Sequence, residues 1–242
     1  MCQAGRGTMV KAVLNAAPMY QMSTYKIPKT LINKLDTLQS KFFWGYKTNR
    51  GHNRIAWSHL CFPKELGGLD FRDLEMLNHA LLIKMAWRVC MQSDLLCVKI
   101  LKAKYFKDEE FIHIQSDRKT SSWIWKDIEI GVKYLQHYTC MEVKNGRKTR
   151  NWQDNWTIGL DSKPISSCPN HLSYVYVSEI ITPNSSNWNV SLLQILFEDE
   201  VVEKISRMHI NIYEEDIVRW KPTKDGNFTV KSAYNKLVET RF

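Results

Sequence analysis

The feature that most restricts the fold of this chain is the helical spacing of its apolar residues. After Pro28, and again after a predicted helix cap at Asp70 or Asp73, apolar residues recur at intervals of three and four positions. This spacing places them on one face of an α-helix, which must then pack against other helices. The two stripes are Leu31, Leu35, Leu38 and Phe42, and then Leu74, Leu77, Leu81, Met85 and Val89. A further helix is predicted over about 94–105, so residues 8–106 predict an all-helical unit with one loop-rich insertion.

The second half of the chain combines helical spacing with turn signals. The dipeptide Asn145-Gly146 accepts the positive φ angles of a type I′ turn, and it therefore predicts a β-hairpin near residues 141–152. A second hairpin is predicted around residues 217–230, leading into a last helix. The predicted fold class is mainly α with small β-hairpins (α+β).

The positive charge of the chain is concentrated in its first half. The net charge is +9, but residues 1–107 hold 17 Lys and Arg against 6 Asp and Glu, whereas residues 108–242 hold 17 against 19. A basic excess confined to one half gives that half an electrostatic field suited to phosphate groups. The alternative interpretation, that the excess serves only solubility, stays open.

Composition and short motifs exclude several classes of protein. The hydrophobic content of 44% excludes disorder, and no apolar run approaches the ~18 residues that span a bilayer. The first residues contain no apolar secretion signal, so an intracellular protein with no membrane partner is expected. The six cysteines and seven histidines show no metal-ligand spacing, and no metal or other cofactor is predicted.

The residues needed for phosphate chemistry are missing from the sequence. Two-metal polymerases and nucleases need carboxylates that converge on ions ~4 Å apart. The acidic residues here form consecutive runs, as at 108–110, 198–200 and 214–216, whose side chains point in different directions and favour a solvated surface. No glycine-rich phosphate loop occurs either. No catalytic residue and no small-molecule substrate is therefore predicted.

Short stretches follow one another in a characteristic order between about residues 3 and 238. They are QAGR at 3–6, MVKAVL at 9–14, APMY at 17–20, IPK at 27–29, KFFWG at 41–45, GGL at 67–69, FRDL at 71–74, NHALL at 78–82, LKAKYF at 101–106, NGRKTRNWQDNW at 145–156 and GNFTVKSAY at 226–234. In this order and spacing, they resemble the region that follows the polymerase core in plant non-LTR (LINE-type) retroelement reverse transcriptases, a family that includes ribonuclease H-like proteins.

The resemblance implies a position between the parts of such a polymerase that carry chemistry. In the family, the catalytic Tyr/Phe-x-Asp-Asp turn lies upstream of the Ala-Gly-Arg helix, and the zinc-binding and RNase H domains lie downstream. A non-catalytic fragment is therefore implied, with a basic thumb- and connection-like region over 1–107, a linker-like mixed region over 108–210 and the truncated start of a zinc-binding domain over 211–242. The last helix is expected to lack the partners of a complete domain.

By the same resemblance, the basic region would grip the backbone of a template–primer-like RNA or DNA duplex. Such contacts are independent of base sequence, and low affinity is expected. The candidate contact residues are Lys41, Lys47, Arg50 and Arg54 in the helical region and Lys144, Arg147, Lys148 and Arg150 in the predicted hairpin. Trp87, Trp123 and Trp125 fall on or beside apolar stripes, and they are predicted to be core residues rather than surfaces for base stacking.

Two alternatives stay open at this level. The chain could be a truncated piece of a full RNA-directed DNA polymerase and RNase H protein, or it could be a relic or scaffold without activity. The expected location is the nucleus in preference to the cytoplasm. The sequence makes no prediction of the oligomeric state.

Overall fold

The computed structural model describes residues 1–46, 53–107, 110–114, 121–160, 163–166, 168–183 and 185–241. Helices dominate, and one small sheet is present, which confirms the predicted fold class. The α-helices are α1 (Gln3–Met9), α2 (Met19–Met22), α3 (Lys29–Trp44), α4 (Trp57–Leu60), α5 (Leu74–Met91), α6 (Leu96–Tyr105), α7 (Trp123–Tyr138), α8 (Val190–Leu196), α9 (Asp199–Ser206) and α10 (Val230–Glu239). Single turns of 3₁₀ helix lie at Lys64–Leu66, Phe111–His113, His171–Ser173 and Val177–Ile180, and a π-helical turn at Val10–Leu14 extends α1.

Local sequence signals set the ends of the two longest N-terminal helices. Pro28 precedes α3, which ends at Gly45 in the left-handed conformation with φ 75°. The carboxylate of Asp73 caps α5 by accepting the backbone N–H groups of Glu75 at 2.9 Å and Met76 at 3.0 Å. The predicted starts of both helices are therefore confirmed.

The predicted buried face of α3 is wrong, because Leu31, Leu38 and Phe42 are exposed. The buried residues are instead Ile32, Gln39, Ser40 and Phe43, so that the face that packs is displaced by about one residue.

The chain divides into two compact units at positions that differ from the three regions expected from sequence. Unit 1 comprises residues 1–136 together with the segment from 229 onward, and unit 2 comprises residues 137–228. The helix α7 joins the N-terminal helices in unit 1 because the ring of Trp125 stacks on that of Tyr105, with centroids 4.2 Å apart.

The last helix, α10, packs against α5 within unit 1. Its residue Leu237 is buried, and Tyr234 packs against the cluster that contains Leu77 and Leu81. The Tyr234 hydroxyl accepts the backbone N–H of Asp73 at 2.9 Å. The helix therefore has a partner in α5, although Val230 and Tyr234 stay only partly buried, as expected for a helix that lacks the partners of a complete zinc-binding domain.

Unit 2 contains the only sheet found in the described residues. Strand β1 (Thr139–Glu142) pairs antiparallel with β2 (Ile217–Trp220), so that Thr139 lies opposite Trp220 and Glu142 lies opposite Ile217. No β-bridge joins residues within 141–152 or within 217–230, although the Trp220 N–H donates to the Gly226 carbonyl at 2.8 Å. Both predicted hairpin pairings are wrong, because each strand takes its partner from the other segment.

The core of unit 2 is built from apolar residues of the loops and of α8 and α9. Trp156 and Trp188 stack with ring centroids 6.0 Å apart, and both are buried. Around them lie Val143, Val177, Ile180, Leu193, Leu196, Phe197, Ile205 and Ile210.

Candidate nucleic-acid interface

The helix α6 presents an exposed basic surface in unit 1. Val98 and Tyr105 are buried and anchor the helix, whereas Lys99, Lys102 and Lys104 are exposed, as is Lys107 just beyond its end. The helix contains no acidic residue. Within the described ranges, none of these four lysines forms an ion pair. Their charges are therefore available to an anionic partner.

Aromatic packing fixes the C-terminal end of α6. The Tyr105 ring stacks on Trp125, and its hydroxyl donates a hydrogen bond to the Ser122 hydroxyl at 2.9 Å. The ammonium of Lys104 lies over the Tyr105 ring, 5.2 Å from its centroid. The lysines thus project from a helix whose last turn is held against the start of α7.

The segment 144–149, here called the Asp216 loop, wraps around a single buried carboxylate in unit 2. Asp216 is 8% exposed and accepts five hydrogen bonds from this loop. The donors are the backbone N–H groups of Lys144 (2.7 Å), Gly146 (2.9 Å), Lys148 (3.0 Å) and Thr149 (3.1 Å) and the hydroxyl of Thr149 (2.9 Å). The prediction of a solvated surface for the acidic run 214–216 is wrong at Asp216, because the carboxylate replaces the strand partner that the loop amides lack.

The turn at Asn145-Gly146 is present without the hairpin. Gly146 has φ 70°, and a Cβ atom at this position would lie 2.5 Å from the backbone nitrogen of Ser178. That nitrogen donates to the Gly146 carbonyl at 2.9 Å. A glycine is therefore required here both by the positive φ and by the close approach of a second backbone segment.

Nearby acids pair with the lysines of the Asp216 loop. The ammonium of Lys144 lies 2.9 Å from Glu142 and 3.6 Å from Glu214, and that of Lys148 lies 2.5 Å from Glu215. The hydrogen bond between Lys144 and Glu142 raises the pKa of Lys144 and lowers the pKa of Glu142. The guanidinium of Arg219 also lowers the pKa of Glu142. These two lysines are partly neutralised within the protein itself.

The two arginines predicted in this loop region differ from each other. The guanidinium of Arg150 donates to the Gln153 side chain at 2.7 Å and is half-buried, whereas Arg147 is exposed.

The two tryptophans that follow these arginines, Trp152 and Trp156, have a structural role. The indole of Trp152 donates to the carbonyl of His171 at 2.9 Å, and that of the buried Trp156 donates to the Asn151 carbonyl at 3.1 Å.

The candidate residues of the helical region lie near the end of α3 and before α4. Lys41 is half-buried on the last turn of α3, and Arg54 is exposed. Lys47 and Arg50 fall outside the described residues. The assignment of the eight candidates to nucleic-acid contact stays a prediction, although the environments of Arg54 and Arg147 suit it better than those of Lys144 and Lys148.

The predicted burial of tryptophans holds at one position and fails at another. Trp125 is 1% exposed, as predicted, but Trp123 is 80% exposed. Residues two apart on a helix point in nearly opposite directions, so that only one of this pair can face the core. The sequence-based prediction did not include the α6 lysines among the candidate contact residues. The signal was present as four lysines between 99 and 107 with no acid among them.

Two Arabidopsis thaliana proteins are similar to this chain. One, named "Putative ribonuclease H protein", is 30% identical over 253 aligned positions, which cover 97% of this chain and 39% of the relative. The other, named "Uncharacterized mitochondrial protein", is 32% identical over 152 positions, which cover 62% of this chain and 97% of the relative. The chain belongs to the plant retroelement-derived ribonuclease H protein family. No protein-family model and no solved structure matches the chain.

One of the two relatives in this plant retroelement-derived family is named for an enzyme, ribonuclease H. The chain spans 39% of the length of the relative that is named a ribonuclease H protein. In the described part of this family member, no group of three or more His, Cys, Asp or Glu side chains is arranged to hold a metal ion. No helix among the described ranges is long and apolar enough to cross a membrane.

Three thiols of this retroelement-derived chain are half-buried, those of Cys61, Cys90 and Cys140. Burial raises the pKa of Cys61 and Cys140, and it raises the pKa of Cys90 to about 12. A raised pKa keeps a thiol protonated near neutral pH, where only the thiolate attacks, so these three cysteines are poor nucleophiles.

Proposed function

We propose that this chain is a nucleic-acid-binding, non-catalytic part of a non-LTR (LINE-type) retroelement reverse transcriptase. In this proposal, it holds the backbone of an RNA or DNA duplex without reading the base sequence. The observation that carries the proposal is the α6 surface, where Lys99, Lys102, Lys104 and Lys107 are exposed and have no ion-pair partner in the described residues.

The high charge density of nucleic acids supports this proposal. A duplex presents closely spaced phosphates, and each lysine that neutralises one of them releases a condensed counterion. Lysines on a helix that has no acids form such contacts without first losing a partner. Lysines that are already paired, such as Lys144 and Lys148, would have to exchange one carboxylate contact for one phosphate contact, with little gain.

The test compares two triple variants of the full chain, each of which loses three positive charges. The first is Lys99→Gln, Lys102→Gln and Lys104→Gln, on α6. The matched control replaces three ion-paired lysines, as Lys144→Gln, Lys148→Gln and Lys204→Gln. Fluorescence anisotropy with a labelled RNA–DNA duplex, repeated over a series of salt concentrations, gives the affinity and its salt dependence.

The affinity of the wild-type chain is expected to fall linearly with salt on logarithmic axes. The α6 variant is expected to bind at least 10-fold more weakly at low salt, with a slope smaller by about 2–3, since each phosphate contact contributes about 0.9. The control variant is expected to bind like the wild type. Equal losses in both variants, or an affinity that ignores salt, would contradict the proposal.

The non-catalytic part of the proposal has its own test. The purified chain is expected to show neither primer extension nor cleavage of the RNA strand in an RNA–DNA hybrid when Mg²⁺ is supplied. Either activity, if it copurifies with the chain and is lost when the chain is removed, would overturn this part while leaving the binding result intact.

A further inference from the structure

We propose that a cavity within unit 2 binds a nucleoside monophosphate, the group that also ends a 5′-phosphorylated strand of RNA or DNA. The inference goes beyond the proposed function, because it concerns a single nucleotide in unit 2 and does not depend on duplex binding by α6.

The cavity has a volume of about 660 Å³, and its lining residues all belong to unit 2. Its walls are the paired strands β1 and β2, the loop over 155–160, the residues Met208 and His209, and the turn at 223–226. Sites for small molecules have volumes of about 300–1,000 Å³. A mononucleotide is therefore of suitable size, whereas a phosphate ion alone would leave most of the cavity empty.

A tight turn shapes the wall beside β2. The backbone N–H of Trp220 donates to the Gly226 carbonyl at 2.8 Å, so that the turn at 223–226 folds back onto the strand. Gly226 has φ 70°, and a Cβ atom there would lie 2.6 Å from Cδ of Arg219. The Arg219 side chain therefore passes directly beside this turn, and its guanidinium pairs with Glu142, an acid that also lines the cavity.

The hydroxyl of Thr157 is the observation that points to a ligand. Thr157 lines the cavity and is 4% exposed, and its hydroxyl has no hydrogen-bond partner among the described residues. A buried polar group without a partner is costly, and the large majority of such groups in proteins are paired. An oxygen atom of a ligand in the cavity would provide the missing partner.

The rim of the cavity offers positive charge. Lys221, Lys224 and His209 line the cavity and are exposed, and Lys224 forms no ion pair with any described residue. The neighbouring acid is Asp225, whose two carboxylate oxygens accept hydrogen bonds from Asn227 at 3.1 and 2.9 Å. The ammonium of Lys224 is therefore available to an anionic ligand.

The floor of the cavity is apolar. Met141, Trp156, Met208 and Trp220 line it, and each of them is at most 9% exposed. An inorganic anion would leave this floor uncovered, and an uncharged apolar molecule would leave the lysines at the rim without a counter-charge. A ligand that combines a flat base with a phosphate group meets both requirements, since lysine is a common ligand of phosphate.

Isothermal titration calorimetry of the full chain tests the inference with three probes. They are AMP, adenosine, which lacks the phosphate, and ribose 5-phosphate, which lacks the base. The variants are Thr157→Val and Lys224→Gln. The matched control is Lys163→Gln, because Lys163 is an exposed lysine of unit 2 that is not among the described residues that line the cavity.

AMP is expected to bind at least 10-fold more tightly than either partial probe. Lys224→Gln is expected to weaken AMP binding by about 10-fold and Thr157→Val by about fivefold, whereas the control keeps the wild-type affinity. Urea unfolding without AMP gives a second measurement. Thr157→Val is expected to be at least as stable as the wild type, because the hydroxyl that it removes has no partner.

A competition experiment distinguishes the two sources of the nucleotide. A short thymidine oligonucleotide, with either a 5′-phosphate or a 5′-hydroxyl end, is titrated against bound AMP. Displacement by the phosphorylated form alone assigns the cavity to the end of a strand, and displacement by neither form assigns it to a free nucleotide. Equal displacement by both forms would mean that the cavity accepts an internal phosphate, which would overturn the inference.

Three other results would also overturn the inference. The first is adenosine or ribose 5-phosphate binding as tightly as AMP. The second is no binding of AMP, because water would then be the partner of the Thr157 hydroxyl. The third is a loss of stability in Thr157→Val without AMP, which would show that this hydroxyl is already paired. None of these results affects the proposed function, whose test is duplex binding by α6.

Discussion

The α6 surface and the Asp216 loop carry similar numbers of basic residues, but their charges have different neighbours. On α6, Lys99, Lys102 and Lys104 stand on a helix without acids and have no ion-pair partner among the described residues. In the loop, Lys144 and Lys148 contact carboxylates of neighbouring segments. The backbone of the loop is in turn held by the carboxylate of Asp216. Basic residues that are equivalent in a count of charges thus have different environments, since those of α6 are exposed without an ion-pair partner among the described residues and those of the loop are paired within the fold.

The loop explains why a basic segment occurs in the near-neutral half of the chain. Its amides lack a strand partner and converge on Asp216, and its lysines neutralise the acids that surround this carboxylate. An arrangement of this kind stabilises unit 2, whereas the α6 lysines repel one another, although the ammonium of Lys104 gains a contact over the Tyr105 ring. A function outside the protein is the simplest reason for retaining four lysines between 99 and 107.

The largest effect is expected from Asp216→Ala. Four backbone N–H groups and one hydroxyl lose their acceptor, so the free energy of unfolding of unit 2 is expected to fall by about 4 kcal/mol. Urea unfolding followed by tryptophan fluorescence measures this loss, and the matched control is the exposed neighbour Glu215→Gln, with a change close to zero. Duplex affinity within about twofold of the wild type would confirm that the loop is not the binding surface.

A second substitution tests whether the loop geometry is specified at one glycine. Gly146→Ala is expected to lower the free energy of unfolding by about 3 kcal/mol, because the positive φ is unfavourable and the Cβ would collide with the backbone at Ser178. The control is Gly159→Ala, where φ is 82° but the nearest atom lies 4.0 Å away. It is expected to lose only about 1 kcal/mol, and equal losses would mean that the contact with Ser178 is unimportant.

In unit 1, removal of a single oxygen atom, that of the Tyr234 hydroxyl, is expected to weaken the attachment of α10 to α5. Tyr234→Phe removes the acceptor of the Asp73 N–H, and a loss of about 1.5 kcal/mol in the free energy of unfolding is expected. Circular dichroism during thermal unfolding measures it. The control Tyr213→Phe changes a residue that is 90% exposed, and it should leave the transition unchanged. An equal shift in both variants would contradict the role of the hydroxyl.

The smallest effect is expected at Asp36, a half-buried acid of unit 1. Burial raises its pKa to about 6, and the carboxylate of Asp73 adds to the shift. Because the folded-state pKa lies above the unfolded value, folding favours the protonated form. The stabilisation is complete below about pH 4 and is lost as the pH rises through about 6.

Asp36→Asn is therefore expected to remove the decline in stability between about pH 4 and 6. Above pH 7, the free energy of unfolding should exceed that of the wild type by about 1 kcal/mol, a value reduced for the water that reaches this carboxyl. Urea unfolding at several pH values measures the difference, with Asp94→Asn in an exposed turn as the control. A wild-type stability that does not change over this pH range would contradict the prediction.

The parts of the fold that depend on nearby residues could be predicted from the sequence. The helices α3 and α5 follow from apolar spacing, and their ends follow from Pro28 and from the capping carboxylate of Asp73. The pairing of β1 with β2 could not be predicted, because it joins residues as far apart in the chain as Thr139 and Trp220. The turn signal at Asn145-Gly146 predicted the turn but not the partner of the strand before it.

The candidate nucleic-acid interface, too, could be predicted from the sequence only in part. The basic excess of the first half is a property of the sequence, but the availability of each charge depends on distant partners. Nothing near Lys144 or Lys148 in the chain predicts that Glu214 and Glu215 will lie beside them. The exposure of Trp123 could have been predicted from the sequence, because the helical spacing of the buried residues Trp125, Ile128, Val132 and Leu135 excludes Trp123.

The most direct test of the account is hydrogen–deuterium exchange of the full chain with and without an RNA–DNA duplex at low salt. The account predicts slower exchange on duplex binding in peptides that cover residues 96–107 of unit 1, and no change in peptides that cover the Asp216 loop at 144–149. Protection of the loop without protection of α6 would contradict it, because the paired lysines would then be the binding surface and the unpaired ones would not.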